Sequence, residues 1–321
     1  MPATSPFALK TPGLCGPLRS ARQMLADQSY DGHKSIHDDS TAEGLGLRAG
    51  PIEGPTHFSQ FDPLLFDLFG QAWFETGCIS AHYQTMVVEG EEVRAFVERP
   101  EPGARFVRIH AEKKDGTPVL AGSASVGEPE GQPPHELEKR IAKLRPATGL
   151  VINRDLKVGQ RTSRAEKVRM GFDDHMGNYY PFTLADKLKA ITEPCDWYTA
   201  DGGARSPWGR PIIPTEMISV LIGSSGGQAE LSGRKPAVGL FAGQQIRRIR
   251  GPLFVDQPYE LEREIIALSE SARTESVWVR TRVYEDSAAR PLVAEMILNG
   301  AVMKASYPKY EEDARALGLT A

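Results

Sequence analysis

The sequence predicts an α+β fold made of two copies of one unit, each a buried helix wrapped by a curved antiparallel sheet. Three observations lead there: a short motif recurring half a chain apart, an apolar helical segment after each copy, and a series of strand-like runs after each segment.

The motif is Pro51-Ile52-Glu53-Gly54-Pro55-Thr56 and again Pro211-Ile212-Ile213-Pro214-Thr215, sharing Pro-Ile, a short spacer and Pro-Thr. A repeat at this separation signals a duplicated unit. After the first copy comes Phe58 to Phe74, with Phe61, Leu64, Leu65, Phe66, Leu68, Phe69 and Trp73, where Asp62-Pro63 has the chemistry to cap and open a helix. After the second comes Thr215 to Ile222, whose Met217, Ile218, Val220, Leu221 and Ile222 leave little polar face. Helices apolar on most sides must be buried on most sides.

Strands are predicted at Ile79 to Val88, Val93 to Glu98, Phe106 to Glu112 and Val119 to Val126, then at Val238 to Ile249, Tyr259 to Leu268, Val277 to Tyr284 and Leu292 to Ser306. The clearest alternation sets Val277, Val279, Thr281 and Val283 against Trp278, Arg280, Arg282 and Tyr284, the period of a half-buried strand. Turn residues precede the last strand of each half, at Asp115-Gly116-Thr117-Pro118 and from Asp286 to Pro291. A helix needing cover on several sides is best served by a curved sheet. Between the halves, Gly127 to Pro146 is rich in Gly, Pro and charge and reads as a linker with a short charged helix, Glu136 to Leu144. The expected organisation is an arm over 1–28, a first unit over 29–128, a linker over 129–148, a second unit over 149–310 and a tail over 311–321.

Bulk properties exclude several classes. A hydrophobic content of 40% supplies ordinary cores, and a net charge of −4 gives no field for nucleic acid or an anionic membrane. Cys15, Cys78 and Cys195 are scattered and odd in number, which fits neither a disulfide framework nor a zinc cluster. No apolar run approaches a membrane span and no leader pattern opens the chain, so a cytoplasmic protein is expected.

Helix and wrapping sheet, twice over, resemble the double hot-dog architecture, and the residues around the repeat resemble the MaoC-like dehydratases, the family of R-specific enoyl-CoA hydratases. The likeness rests on Ile36-His37-Asp38-Asp39 with Ala42 and Gly46 to Ile52 in the first half, and on Trp208 to Met217 and Ile246 to Phe254 in the second. It covers most of 28–128 and 155–307. In that family an Asp-x-Asn-Pro-x-His loop before the buried helix orients and deprotonates one water. Adding water to a 2-enoyl thioester needs a base, a proton for the alpha carbon and donors for the enolate oxygen. The resemblance implies His37 as base and Asp31 as its carboxylate, although Asp31 stands one residue further away than usual and no Asn-Pro intervenes. The helix starts carry Gly54-Pro55 and Pro214-Thr215 instead of the commoner His-Gly, and proline has no N–H to donate.

The remaining candidates follow. His57 is a possible pocket residue or a satisfied core histidine. Asp174 and His175 stand near the place of a second loop, as a divergent site or as loop polarity. Thr56 and Thr215 are the candidate oxyanion donors at the helix starts. Arg247, Arg248 and Arg250 suit CoA phosphates, or a solvated strand face. The implied function is hydration of a 2-enoyl-CoA or the reverse dehydration, with no metal, and no cofactor beyond the CoA of the substrate. The alternatives are thioester hydrolysis, with Glu53, Asp67 or Glu216 as carboxylate, and a non-catalytic acyl-CoA-binding or partner protein. A homodimer is the expected assembly, with the monomer as alternative, since the fused chain already holds a pseudo-dimer.

Overall fold

A computed structural model describes residues 8–10, 13–30 and 33–319. The β-branched and aromatic runs form the strands the alternation predicts. In the first half these are β1 (Cys78–Tyr83), β2 (Val93–Glu98), β3 (Phe106–Lys113) and β4 (Pro118–Ser125). In the second they are β5 (Gly239–Arg248), β6 (Tyr259–Glu270), β7 (Thr274–Glu285) and β8 (Leu292–Met303). All eight belong to one sheet in the spatial order β2-β3-β4-β1-β5-β8-β7-β6. Each half therefore has its first strand beside its last, then the third and second outward, and the halves meet where β1 pairs antiparallel with β5, from His82 opposite Gly243 to Cys78 opposite Arg247. Pairing the two first strands removes the exposed edge that each half would otherwise present. Register shifts in the β5–β8, β6–β7, β7–β8 and β3–β4 pairs add the local bends that curvature requires.

The concave face holds the two apolar segments. In the second half this is an α-helix, Thr215–Gly223, buried at every residue. In the first half the expected helix from Phe58 to Phe74 is three pieces: a 3-10 turn at Gly54–Phe61, an α-helix at Asp62–Phe69 and another at Ala72–Thr76. The buried central piece is the 3-10 segment, in which Pro55 to Phe61 are all buried, whereas Phe66 is 38% exposed.

The repeat is real and sits one residue out of the register the proline matches suggest. The N–H of Ile52 donates to the Val87 carbonyl at 2.7 Å and that of Ile213 to the Leu253 carbonyl at 2.8 Å, while Pro51 bridges Val88 and Ile212 bridges Phe254. The turns just beyond match as well, with left-handed backbone at Gly90 in one copy and Asp256 in the other. Upstream, the helices Asp39–Gly44 and Ala200–Ala204 share this offset, capped by the side chains of Asp38 and Thr199.

Three segments expected to lie outside the units pack against them. In the arm, Gly13–Cys15 pairs with β2 and extends the sheet, and Leu14, Ala21 and Leu25 enter the core. The linker helix Glu136–Ile141 starts at a capping box of His135 and Glu138, and its Leu137 is buried against Trp278 and Ile297 on the convex face. That contact explains why Trp278, alternating to the outer side of β7, is buried. Near the C-terminus, Tyr310–Ala316 packs with Tyr307 against Val151 and Ile152.

Candidate active site

A cavity of about 410 Å³ lies between the first half's buried 3-10 turn and the concave face of the second half's sheet, within the range of small-molecule sites. At one end it is lined by His37, Glu53, Gly54, His57, Tyr83 and Tyr180. These come from the loop before Pro51, the start of the buried turn, the end of β1, and a second-half segment that reaches across to cover them.

The contacts of each polar group define what it can do. His37 Nδ1 lies 2.5 Å from the Pro51 carbonyl oxygen. A carbonyl only accepts, so the proton sits on Nδ1 and Nε2 keeps its lone pair. Burial lowers the imidazole to about 4, against the hydrogen bond to Pro51 that raises it, so the ring is neutral at physiological pH. Burial likewise pushes Glu53 up to about 7, opposed by the charge of Lys187 and by the Tyr180 hydroxyl, which donates to Glu53 Oε1 at 3.1 Å. His57 is held down to about 4, first by burial and then by the positive charges of Lys187 and Lys113. Its Nε2 and the Tyr83 hydroxyl are buried with no hydrogen-bond partner among the described residues. Two orphaned polar atoms on one cavity wall are free to meet polar groups of a ligand, and unmatched they cost about 1–3 kcal/mol each. Gly54 leaves room for Tyr83: a Cβ there would lie 2.5 Å from the tyrosine ring.

Behind this wall, Lys187 forms a buried ion pair with Glu216 at 3.0 Å and reaches Thr56 Oγ1 at 3.4 Å. Burial raises the Glu216 carboxyl against the opposing charge of Lys187.

The other sequence candidates separate cleanly. Asp31 lies outside the described residues. Thr56 N–H already donates to the Glu53 carbonyl at 3.1 Å, and Thr215 Oγ1 donates to Asp62 at 2.6 Å; neither lines the cavity, so the donors expected at the helix starts are occupied elsewhere. His175 is exposed and accepts from the Gly177 N–H at 3.1 Å, and Asp174 accepts from the Gly171 N–H at 2.8 Å and pairs with Arg169 at 3.0 Å, which makes both turn residues. Asp67 is exposed on the outer side of its helix. Arg250 is exposed, Arg247 lies 3.6 Å from Glu138, and Arg248 is buried among Asp62, Thr215 and Trp73, out of reach of a phosphate in solvent.

The true counterpart of the His37 loop is 196–204. With Pro51 matched to Ile212 and Asp39 to Ala200, the residue in the place of His37 is Tyr198. Its hydroxyl donates to Asp62 at 3.0 Å, and the same carboxylate accepts from Trp73 Nε1 at 2.9 Å and from Thr215. Arg248 donates to Thr215, and its charge lowers the Asp62 carboxyl that burial otherwise raises. The second copy of the site is thus filled by a closed polar network. Sequence reasoning missed Tyr83 and Tyr180 as members of the first site and offered Glu53 only as a carboxylate for hydrolysis. The spacing between His37 and Pro51, fourteen residues, was the available signal for the second, since the same count back from Ile212 reaches Tyr198.

Two copies of a curved sheet over buried segments, fused through their first strands, with one open site and one closed, define a double hot-dog protein. Its architecture is similar to that of a MaoC-domain dehydratase from Chloroflexus aurantiacus, at 14% identity and a TM-score of 0.58 over 94% of this chain and 99% of that one. It is also similar to a conserved protein of Mycobacterium tuberculosis described as having a double hotdog fold, at 11% identity and a TM-score of 0.53 over 92% and 97%. No family model and no curated protein matches the sequence. Among the described residues, no helix is long and apolar enough to cross a membrane, and no group of three or more His, Cys, Asp or Glu side chains is placed to hold a metal.

Proposed function

We propose that this protein adds water to a 2-enoyl-CoA, or removes it from a 3-hydroxyacyl-CoA, at the His37 end of the cavity. The observation that carries the reading is the Pro51 carbonyl on His37 Nδ1, which presets the imidazole as a neutral base. In the hydration direction, Nε2 takes a proton from water as its oxygen bonds to the beta carbon. The double-bond electrons move toward the thioester oxygen, for which the Tyr83 hydroxyl and His57 Nε2 are the free hydrogen-bonding groups. Glu53, protonated up to about 7, gives its proton to the alpha carbon, and exchange with solvent resets both residues. Asp31 is the carboxylate that the family resemblance assigns to the same water.

Glu53 also favours a second reading. In its ionised form it is a base on the same wall, which is what thioester hydrolysis on this fold needs. The test is to incubate the protein with crotonyl-CoA and longer enoyl-CoAs and follow loss of the conjugated double bond and release of thiol separately. Double-bond loss without thiol supports hydration. Thiol release supports hydrolysis, and neither, with CoA binding, supports a binding protein.

A further inference from the structure

The far end of the cavity carries a second polar feature that the chemistry above does not use. Asn153 lines the same cavity, is 0% exposed, and has neither amide atom hydrogen-bonded among the described residues. Its backbone is fixed: the N–H groups of Val151, Ile152 and Asn153 donate to the Glu275 carboxylate at 2.8, 3.2 and 2.9 Å. From the other side Gly233 closes on it, since a Cβ there would lie 2.3 Å from Asn153 Oδ1. A rigidly held amide with both its donor and its acceptor unmatched is rare in a folded interior.

The sheet gives the separation of the two ends. Glu275 pairs with Val302 and Val302 with Gly239, while the His37 end lies beside Tyr83, next to His82, which pairs with Gly243. Four residues along β5 at about 3.3 Å each make about 13 Å along the strands, and the three strand spacings from β7 to β1 at about 4.8 Å each make about 14 Å across them, so the two ends are well separated. The wall between is apolar, with Val277, Val279 and Leu298.

We propose that Asn153 is a second recognition point of this cavity, binding a neutral hydrogen-bonding group, amide or hydroxyl, carried at the end of the ligand away from the reacting carbon. The inference rests on the thioester reading above. That chemistry has two sources in an acyl-CoA: an amide of the pantetheine arm, or a polar substituent on the acyl chain. Calorimetry on the full chain separates them, using CoA analogues with methylene in place of the thioester sulfur and butyryl, decanoyl or 10-hydroxydecanoyl groups. Asn153→Leu is close in shape and gives up no protein hydrogen bond, so the melting temperature should hold or rise.

Weakening of all three ligands by about tenfold identifies the pantetheine amide, and weakening of the hydroxydecanoyl ligand alone identifies the acyl chain. Unchanged Kd values for all three overturn the proposal while leaving the thioester reading in place. A wild-type protein that binds none of the three overturns that reading, and the inference with it. Should Asn153→Leu fail to fold, Asn153→Ala removes the donor and the acceptor together in a smaller side chain; wild-type affinities in that variant are equally fatal.

Discussion

Glu53→Gln should change the shape of the pH profile, not only its height. In the wild-type protein the base, His37, is free above about 4 and the acid, Glu53, is protonated below about 7. Hydration needs both, so kcat/KM should be a bell with limbs near those values and a centre at roughly pH 5.5. At pH 8 only about a tenth of Glu53 holds its proton, and kcat/KM should fall about tenfold from its plateau. Glutamine keeps the shape but has no acidic proton to transfer. The variant should lose roughly 10²–10⁴-fold in kcat, and what activity remains should rise through about 4 and stay flat across 7. The assay is loss of the conjugated enoyl absorbance from pH 4 to 9, with substrate affinity measured separately. Two results would refute the reasoning: a lower limb near the ordinary imidazole value of 6.5, or wild-type activity that rises through 7. The second points to ionised Glu53 as a base, and with it to hydrolysis.

The other expectations are briefer. His37→Ala should lower enoyl-CoA turnover by roughly 10²–10⁴-fold with little change in ligand affinity, while His175→Ala at its exposed turn should change neither; steady-state kinetics and calorimetry check both. Arg248→Met should destabilise the fold by about 3–5 kcal/mol in urea by leaving Asp62 buried beside an empty partner position, and adding Asp62→Asn should recover part of the loss. Stability should fall as pH drops from 6.5 toward 4. The unfolded chain then protonates histidines that stay neutral when folded, with His57 and His135 each losing up to about 3 kcal/mol. The raised Glu53 works in the opposite sense, its contribution growing as pH falls through about 7, so melting curves of Glu53→Gln should show a steeper acid loss. Light scattering that gave only the monomer mass at micromolar protein would remove the expected homodimer.

The strands were legible because their signal is local. Val277 to Tyr284 alternates residue by residue, and burial of Thr281 and Val283 on one face needs no knowledge of distant partners. The first buried segment was less so: composition marked Phe58 to Phe74 as apolar, but Pro63 and Gly70 break it, and the piece that enters the core begins at Gly54. The linker misled because Gly and Pro report backbone freedom and say nothing of Leu137, a single side chain with a hydrophobic site waiting on the convex face. At the candidate site, His37 and His57 were named from sequence and do line the cavity. Glu53 was named only for hydrolysis, and Tyr180 not at all, because it arrives from more than a hundred residues away. Asp174 and His175 drew notice as a carboxylate and an imidazole side by side; residue type outweighed position, and the position belongs to Tyr198.

The pairing of β1 with β5 inside one polypeptide has a consequence for how such a molecule can change over time. When identical single-unit chains associate, every substitution appears twice, and an arginine that plugs one pocket plugs its twin. Covalent joining breaks that bond between the copies. One half can surrender its cavity to Tyr198, Asp62 and Arg248 and become scaffold, while its loops are released to reach over the neighbour, as Tyr180 does toward Glu53. Asymmetry of this kind is closed to a symmetric pair, and it lets a single pocket grow longer than either ancestral unit could have enclosed.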